Sequence, residues 1–324
     1  MLGGSAANFG VHATNLNRVE GRVPWGLREG GGRGRDADTP GSPRQTCVLH
    51  TSIGSDQMGD FIRRQLAEAG VEWSQAQERK HQGVCVVLSG KKGRAFLTHR
   101  GAVAEFCTDD IDVLRVVNSG HVHVAGFFNC PALAKDLPGL LTEAKAHGAT
   151  CSLGPQWDAS EEWSGLDGIY PLLDVFLPNE DEALHLSRCS DVAEAASYFV
   201  DKGVGLVVIT RGAKGAFAMS REATAAVESV GREEEGLDAK VGDEVQGHCG
   251  IQTWEQRCAR VEVVDTTGAG DAFSAGFIHT WKAFGDVQLA LRWGCALGST
   301  VVTRAGRTPR LSVEDIRPNL LDES

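Results

Sequence analysis

The tightest constraint on the fold is an alternation. Strand-like apolar runs are separated repeatedly by segments of helical spacing that stop at glycine. "HVHVAGFF", from His121 to Phe128, reads as a strand. "ALAKDLPGLLTEAKAHG" reads as a helix ended by its glycine, and "ATCSL" as the next strand. "LLDVFLPN" is a strand closing on Pro-Asn, and "DVAEAASYFVDKG" a second glycine-ended helix. "GLVVIT", from Gly205 to Thr210, reads as a fully apolar strand. Such a strand has both faces covered, as in a parallel sheet between helix layers. "VEVVDTT", from Val261 to Thr267, reads as one more strand. The expected class is α/β, with a doubly wound parallel sheet.

Three segments break the alternation. Val84 to His99, "VCVVLSGKKGRAFLTH", is two strand-like runs around Ser-Gly-Lys-Lys-Gly, a β-hairpin signal with no helix between its strands. It suggests a small sheet that covers the main domain. Residues 18–44 hold "GLREGGGRGRDADTPGSPR" and have no periodicity, so they are expected to be a disordered or looped insert. An arginine-glycine run can bind RNA; a solvated loop is the simpler reading. Residues 222–256 are acidic and contain "GREEEG", and read as a surface excursion between two strands.

The bulk properties narrow the function classes. The 324 residues suffice for one large α/β domain or two smaller ones. A net charge of -11 gives no basic face for nucleic acid. No apolar run approaches a membrane span. The N-terminal "MLGGSAANFG" lacks the charged and apolar regions of a signal peptide. Nine scattered cysteines include no Cys-x-x-Cys, which suits a reduced, cytoplasmic protein. His121 and His123 share a strand face; with no third ligand in view, they read as packing residues.

Chemistry concentrates in "VVDTTGAGDAFSAGF", from Val263 to Phe277. A helix start gathers unpaired N–H groups and partial positive charge, which attract phosphate oxygens. Gly268, Ala269 and Gly270 let backbone approach a ligand closely. Asp271, in the first turn, can accept a proton from an attacking hydroxyl. A bare Gly-x-Gly-Asp is most simply a capped loop-to-helix junction. The whole string makes sense as an anion hole beside a general base.

"DTTGAGDAFSAGF" resembles the C-terminal signature of the PfkB, or ribokinase-like, carbohydrate kinases. "GGSAANFGV", "IGSDQMGDFIRRQLAEAGV", "LPNEDEA" and "VVITRGAKGAF" resemble further family stretches in the family's order. The resemblance covers most of the chain outside the two inserts, and implies one kinase domain over residues 1–324. It implies transfer of the γ-phosphate of ATP to a sugar hydroxyl. Asp271 would be the base, with Gly268, Ala269 and Gly270 the anion hole. Gly3, Gly4 and Asn8 would line the sugar pocket. Asn179 and Glu182 would hold Mg2+ near the phosphates. Thr210 and Gly212 would touch ATP, with Gly215 allowing the turn and Arg211 facing a phosphate or solvent. Glu182, Asp265 and Thr267 are the expected metal positions, the last two for a monovalent cation such as K+. The 84–99 hairpin would belong to a lid over the sugar, through which a homodimer could form.

The sequence also departs from the family. Members usually carry a strand, a substrate-binding aspartate and two lid strands before the double glycine. Only Met1 and Leu2 precede Gly3, so an N-terminal strand is expected to be missing. Gly154 stands where many relatives have an acid, Cys295 where several have asparagine, and Arg307 follows Gly306 where alanine is usual. No Gly-x-x-x-x-Gly-Lys-Ser/Thr is present, which excludes a P-loop enzyme, and "GGSAANFG" does not supply a dehydrogenase fingerprint. Two classes stand: a sugar kinase, or a catalytically impaired, truncated kinase-fold protein with a binding or regulatory role.

Overall fold

The computed structural model describes residues 5–19, 46–75, 79, 81–90, 93–221, 250–305, 311 and 313–320. Gly3, Gly4, Gly306, Arg307 and most of both expected inserts lie outside the described residues. The chain opens with α1 (Ser5–Val19), β1 (Val48–His50), α2 (Gln57–Ala69) and β2 (Glu72–Ser74). Strands β3 (Val84–Gly90) and β4 (Gly93–His99) follow, then α3 (Ala102–Glu105) and α4 (Val113–Val117). The central alternation is β5 (His121–Ala125), α5 (Pro131–Ala146), β6 (Thr150–Gly154), β7 (Val175–Phe176), α6 (Glu180–Ser187), α7 (Val192–Asp201) and β8 (Leu206–Thr210). The chain ends in β9 (Ala216–Arg221), β10 (Ile251–Gln256), α8 (Ala269–Phe284), α9 (Val287–Val301) and α10 (Val313–Ile316).

Six strands form the main sheet in the order β10-β9-β8-β7-β6-β5. Strands β5 to β8 pair in parallel, and β9 and β10 add an antiparallel edge. Side chains of a strand alternate between faces, and here the alternation divides the core in two. Cys151, Leu153, Phe176, Val207 and Ile209 pack with α5 and α7 residues such as Leu141 and Phe199. Val175, Leu177, Leu206 and Val208 pack with Phe277, Ala290 and Leu291 of α8 and α9. Helices therefore cover both faces, as expected of a doubly wound sheet. Full burial of a side chain such as Phe176 or Phe199 contributes roughly 1.5–3 kcal/mol.

Local sequence explains the helix limits. Asp191 caps α7 by accepting from the amides of Ala193 and Glu194 at 2.8 and 2.9 Å. Gly285, in a left-handed conformation, ends α8, and Asp286 caps α9 through the Leu289 amide at 2.9 Å. Helices α8 and α9 then approach closely. A Cβ at Gly276 would lie 3.0 Å from the Trp293 carbonyl oxygen, and one at Gly294 would lie 2.8 Å from the Phe273 ring.

The structure corrects several expectations. "VEVVDTT" is not a strand: the amides of Val264 and Asp265 donate to the Val302 carbonyl at 2.8 and 3.1 Å, and Val263 and Val264 are exposed. Residues 251–256 are not part of a surface excursion but form β10, paired with β9 from Ile251↔Arg221 to Gln256↔Ala216. An edge strand half open to water carries Gln252, Glu255 and Gln256, so its composition resembles a loop's. Residues 18 and 19 belong to α1 rather than to an insert. The strand at His121 stops at Ala125, and "LLDVFLPN" contributes only Val175–Phe176 to the sheet.

Val84–Gly90 and Gly93–His99 do pair as an antiparallel hairpin, with Val86 opposite Leu97 and Val87 opposite Phe96. Val86, Val87, Leu88, Phe96 and Leu97 are all exposed, so both hairpin faces are apolar and open. A second small sheet pairs β1 with β2 in parallel. His121 and His123 serve packing: His121 meets Thr150 Oγ1 and Ser152 Oγ, each at 2.8 Å, and His123 meets Ser152 Oγ at 2.8 Å. Burial pushes both imidazoles down to about 3.

The α8–α9 contact yields a test. Alanine is the better helix former by about 1 kcal/mol. At Gly276 its Cβ meets a backbone carbonyl that cannot rotate away. Gly276→Ala is therefore expected to lower the unfolding free energy by about 1–3 kcal/mol, read from the urea midpoint. An unchanged midpoint would show that the two helices can part at no cost.

Candidate active site

The glycine-aspartate string folds as the start of α8. Gly268 is the N-cap, at φ 78°, a left-handed conformation that favours glycine. Asp271 lies in the first helical turn. The Ala269 amide makes a turn bond to the Thr266 carbonyl at 3.3 Å. The amides of Gly270 and Asp271 make no backbone hydrogen bond among the described residues. A Cβ at Gly270 would meet nothing within 4 Å. Packing therefore does not require glycine at 270, and the helix start opens onto space.

Helix α1 supplies the neighbours of Asp271. Asn8 Nδ2 donates to Asp271 Oδ2 at 2.8 Å, and the Ser5 hydroxyl donates to Asp271 Oδ1. Asn8 is buried, so its amide holds this carboxylate within the protein. Burial raises the Asp271 carboxyl above the ordinary range, and the two hydrogen bonds oppose that shift.

Asn179 and Glu182 meet at the start of α6 as a reciprocal capping box. Asn179 Oδ1 accepts from the Glu182 amide at 2.9 Å, and Glu182 Oε2 accepts from the Asn179 amide at 3.0 Å. The ordinary helix-start role is thus present. It does not explain why Glu182 is buried. Burial, aided by the charges of Asp181 and Asp271, raises Glu182 to about 7, despite the Asn179 amide. A carboxylate so placed gains from a cation close by, which makes the setting suitable for Mg2+. Among the described residues no three His, Cys, Asp or Glu side chains cluster as a metal cage.

Thr210 ends β8 and bridges to Asn179, which joins the expected nucleotide and metal positions. The following turn runs through Gly212 and Gly215, both at positive φ. A Cβ at Gly215 would lie 1.9 Å from the Gln256 carbonyl oxygen, so the exit of β10 fixes that turn. Arg211 forms an ion pair with Glu255 at 3.3 Å. Asp265 Oδ1 accepts from the Thr267 amide at 2.9 Å and its hydroxyl at 2.7 Å, a local turn. Cys295 is buried behind the β10 exit.

Two features of the site have no distinctive local signature. A serine at a helix start is ordinarily a cap, so nothing in the sequence around Ser5 points to Asp271. The proximity of Glu182 and Asp271 was equally hidden, since 89 residues separate them. The only available signal was the three-residue spacing of Ser5 and Asn8, which puts both on one helix face.

Comparison with known proteins bears on this arrangement. The model of the pfkB family of carbohydrate kinases matches residues 45–238 and 252–313. An ATP-dependent ribose-1-phosphate kinase of Halopiger xanaduensis is 29% identical over 266 residues, covering 79% of this chain and 74% of its own. A fructoselysine 6-kinase of Shigella flexneri is 25% identical over 309 residues, covering 94% and 90%. Among solved structures, an E. coli protein described as a ribokinase II, in complex with ATP and Mg2+, superposes with a TM-score of 0.71. It is 22% identical, with 98% of this chain and 87% of that one covered. Ribokinase from Thermotoga maritima gives 0.67 at 20% identity, with 98% and 86% covered. The fold is ribokinase-like, and the class is a phosphotransferase acting on a sugar hydroxyl. The chain belongs to the pfkB family of carbohydrate kinases.

Glu182 gives a pH test. Its carboxyl moves from 4.5 to about 7 on folding, so between those values the folded protein holds a proton that the unfolded chain releases. Its stabilising contribution is full below pH 4.5 and is lost as pH rises towards 7. His12, at about 4, and His121 and His123, at about 3, are depressed from 6.5 and act in the opposite direction, so the test is differential. Glu182→Gln is expected to gain stability relative to wild type from pH 4.5 to 7 in urea titrations with EDTA. A difference independent of pH would refute the raised carboxyl.

Proposed function

We propose that the chain is one kinase domain that transfers the γ-phosphate of ATP to a hydroxyl of a small sugar, with Asp271 as general base. One observation carries this reading: Asp271 stands in the first turn of α8, beside the open backbone at Gly270. In the proposed step Asp271 takes the hydroxyl proton as the sugar oxygen bonds to the γ-phosphorus. The bond from that phosphorus to the β,γ-bridging oxygen breaks, and ADP leaves. Amides at the α8 start, chiefly those of Gly270 and Asp271, stabilise negative charge on the transferring group. The raised carboxyl makes Asp271 a stronger base than an ordinary aspartate.

Thr210 and Gly212 are the proposed ATP contacts, on the turn that Gly215 permits. Glu182, with Asn179 fixing its helix start, would hold Mg2+ through water. When bound, Mg2+ neutralises charge between the β- and γ-phosphates. Asp265 and Thr267 are proposed for K+. Gly3, Gly4 and Asn8 are proposed to line the sugar side, although Asn8 donates one hydrogen bond to Asp271. Ribose 1-phosphate and fructoselysine, named in two relatives, are proposed as candidate substrates beside free ribose and fructose. The apolar hairpin is proposed as a lid and as the contact with a second copy. A cytoplasmic setting is supported by eight free thiols among the described residues.

The test is ADP release with Mg2+, K+ and this panel of sugars. Asp271→Asn is expected to reduce kcat by about 100- to 10,000-fold while ATP still binds. Wild-type protein that binds ATP and phosphorylates none of the panel would favour a non-catalytic role. Full activity in the variant would remove Asp271 as the base.

A further inference from the structure

Asp271 is held from outside its own helix. Ser5 and Asn8 are three residues apart on α1, so both side chains leave one helix face. The Ser5 hydroxyl donates to Oδ1 of Asp271 and the Asn8 amide to Oδ2, one donor for each carboxylate oxygen. The Asn8 amide also lies beside Gly268, where an added Cβ would come within 3.6 Å of Nδ2. Two donors on one rigid element fix both the position and the plane of the carboxylate. A single donor would leave rotation about the carboxyl axis. Each oxygen has two lone pairs, so this arrangement uses one of each and leaves the other for an incoming hydroxyl.

The geometry points to Ser5 as a positioning residue of the phosphoryl transfer, which with Asn8 aims the Asp271 carboxylate. This inference rests on Asp271 being the base. Ser5 needs no contact with sugar or ATP to act. It is unlike a helix cap, because its hydroxyl is directed at a side chain 266 residues away. A misaimed base loses rate while leaving ground-state binding of the nucleotide intact. The hydroxyl is the whole requirement, so threonine can replace serine and alanine cannot.

The experiment compares Ser5→Ala and Ser5→Thr with wild type and Asp271→Asn, using the panel sugar that is turned over fastest. Ser5→Ala is expected to reduce kcat by about 10- to 100-fold, with KM for ATP and Tm unchanged. Ser5→Thr is expected to recover most of that loss. Independently of turnover, the 13C carboxyl resonance of Asp271, assigned by its loss in Asp271→Asn, should move in Ser5→Ala and stay in Ser5→Thr. Unchanged kcat, an unmoved resonance, a threonine variant no better than alanine, or parallel changes in KM for ATP and Tm would each overturn the proposal. If Asp271→Asn keeps full activity, the base assignment fails first. If only that variant is inactive, the base stands and the role of Ser5 fails.

Discussion

Everything in this molecule depends on a central sheet that is dry on both faces. Strands β7 to β9 place alternate residues into two separate cores, one under α5 and α7 and one under α8 and α9. Such strands have no polar face to present to water, so they cannot sit at a surface. That requirement obliges a helix layer on each side, and the helices must begin where parallel strands end. The candidate site lies at those beginnings. Asn179 follows β7, Thr210 closes β8, and Asp271 stands in the first turn of α8, near enough for its charge to raise the Glu182 carboxyl.

The site is assembled from pieces that are distant in the chain and individually ordinary. An Asn-x-x-Glu helix start is a capping box, and here it caps. An aspartate three residues after the N-cap is favoured by the helix dipole anywhere. What distinguishes these groups is company. Glu182 is buried near Asp271, and both carboxyls are raised. Two acids whose carboxyls are raised by burial, one also by the charge of the other, form a setting that favours a cation. Neither acid would be notable if its helix stood alone.

The periphery follows a different logic. The β3–β4 hairpin keeps large apolar side chains exposed on both faces. A two-stranded ribbon has no core of its own to bury them in. Its register is nevertheless regular over seven pairs, from Val84↔His99 to Gly90↔Gly93. It is a regularly paired element whose apolar side chains stay open.

From the sequence alone one could read the class of the fold, the order of its main elements and the helix start that carries Asp271. Apolar periodicity and glycine stops are local, and two-sided burial makes them strong. The edges were not legible. β10 is polar because one side of it meets water, whereas Val263 and Val264 are apolar yet belong to no strand, since their neighbourhood offers the Val302 carbonyl instead of a partner strand. Only the tertiary structure decided which side chains face Asp271. Ser5 and Asn8 reach it across more than 260 residues, and Glu182 approaches it from another helix. The two hydrogen bonds arise from how α1 packs on α8, which no local pattern encodes. Strand pairing and helix packing are long-range choices; strand and helix propensity are short-range ones, and a sequence displays only the latter directly.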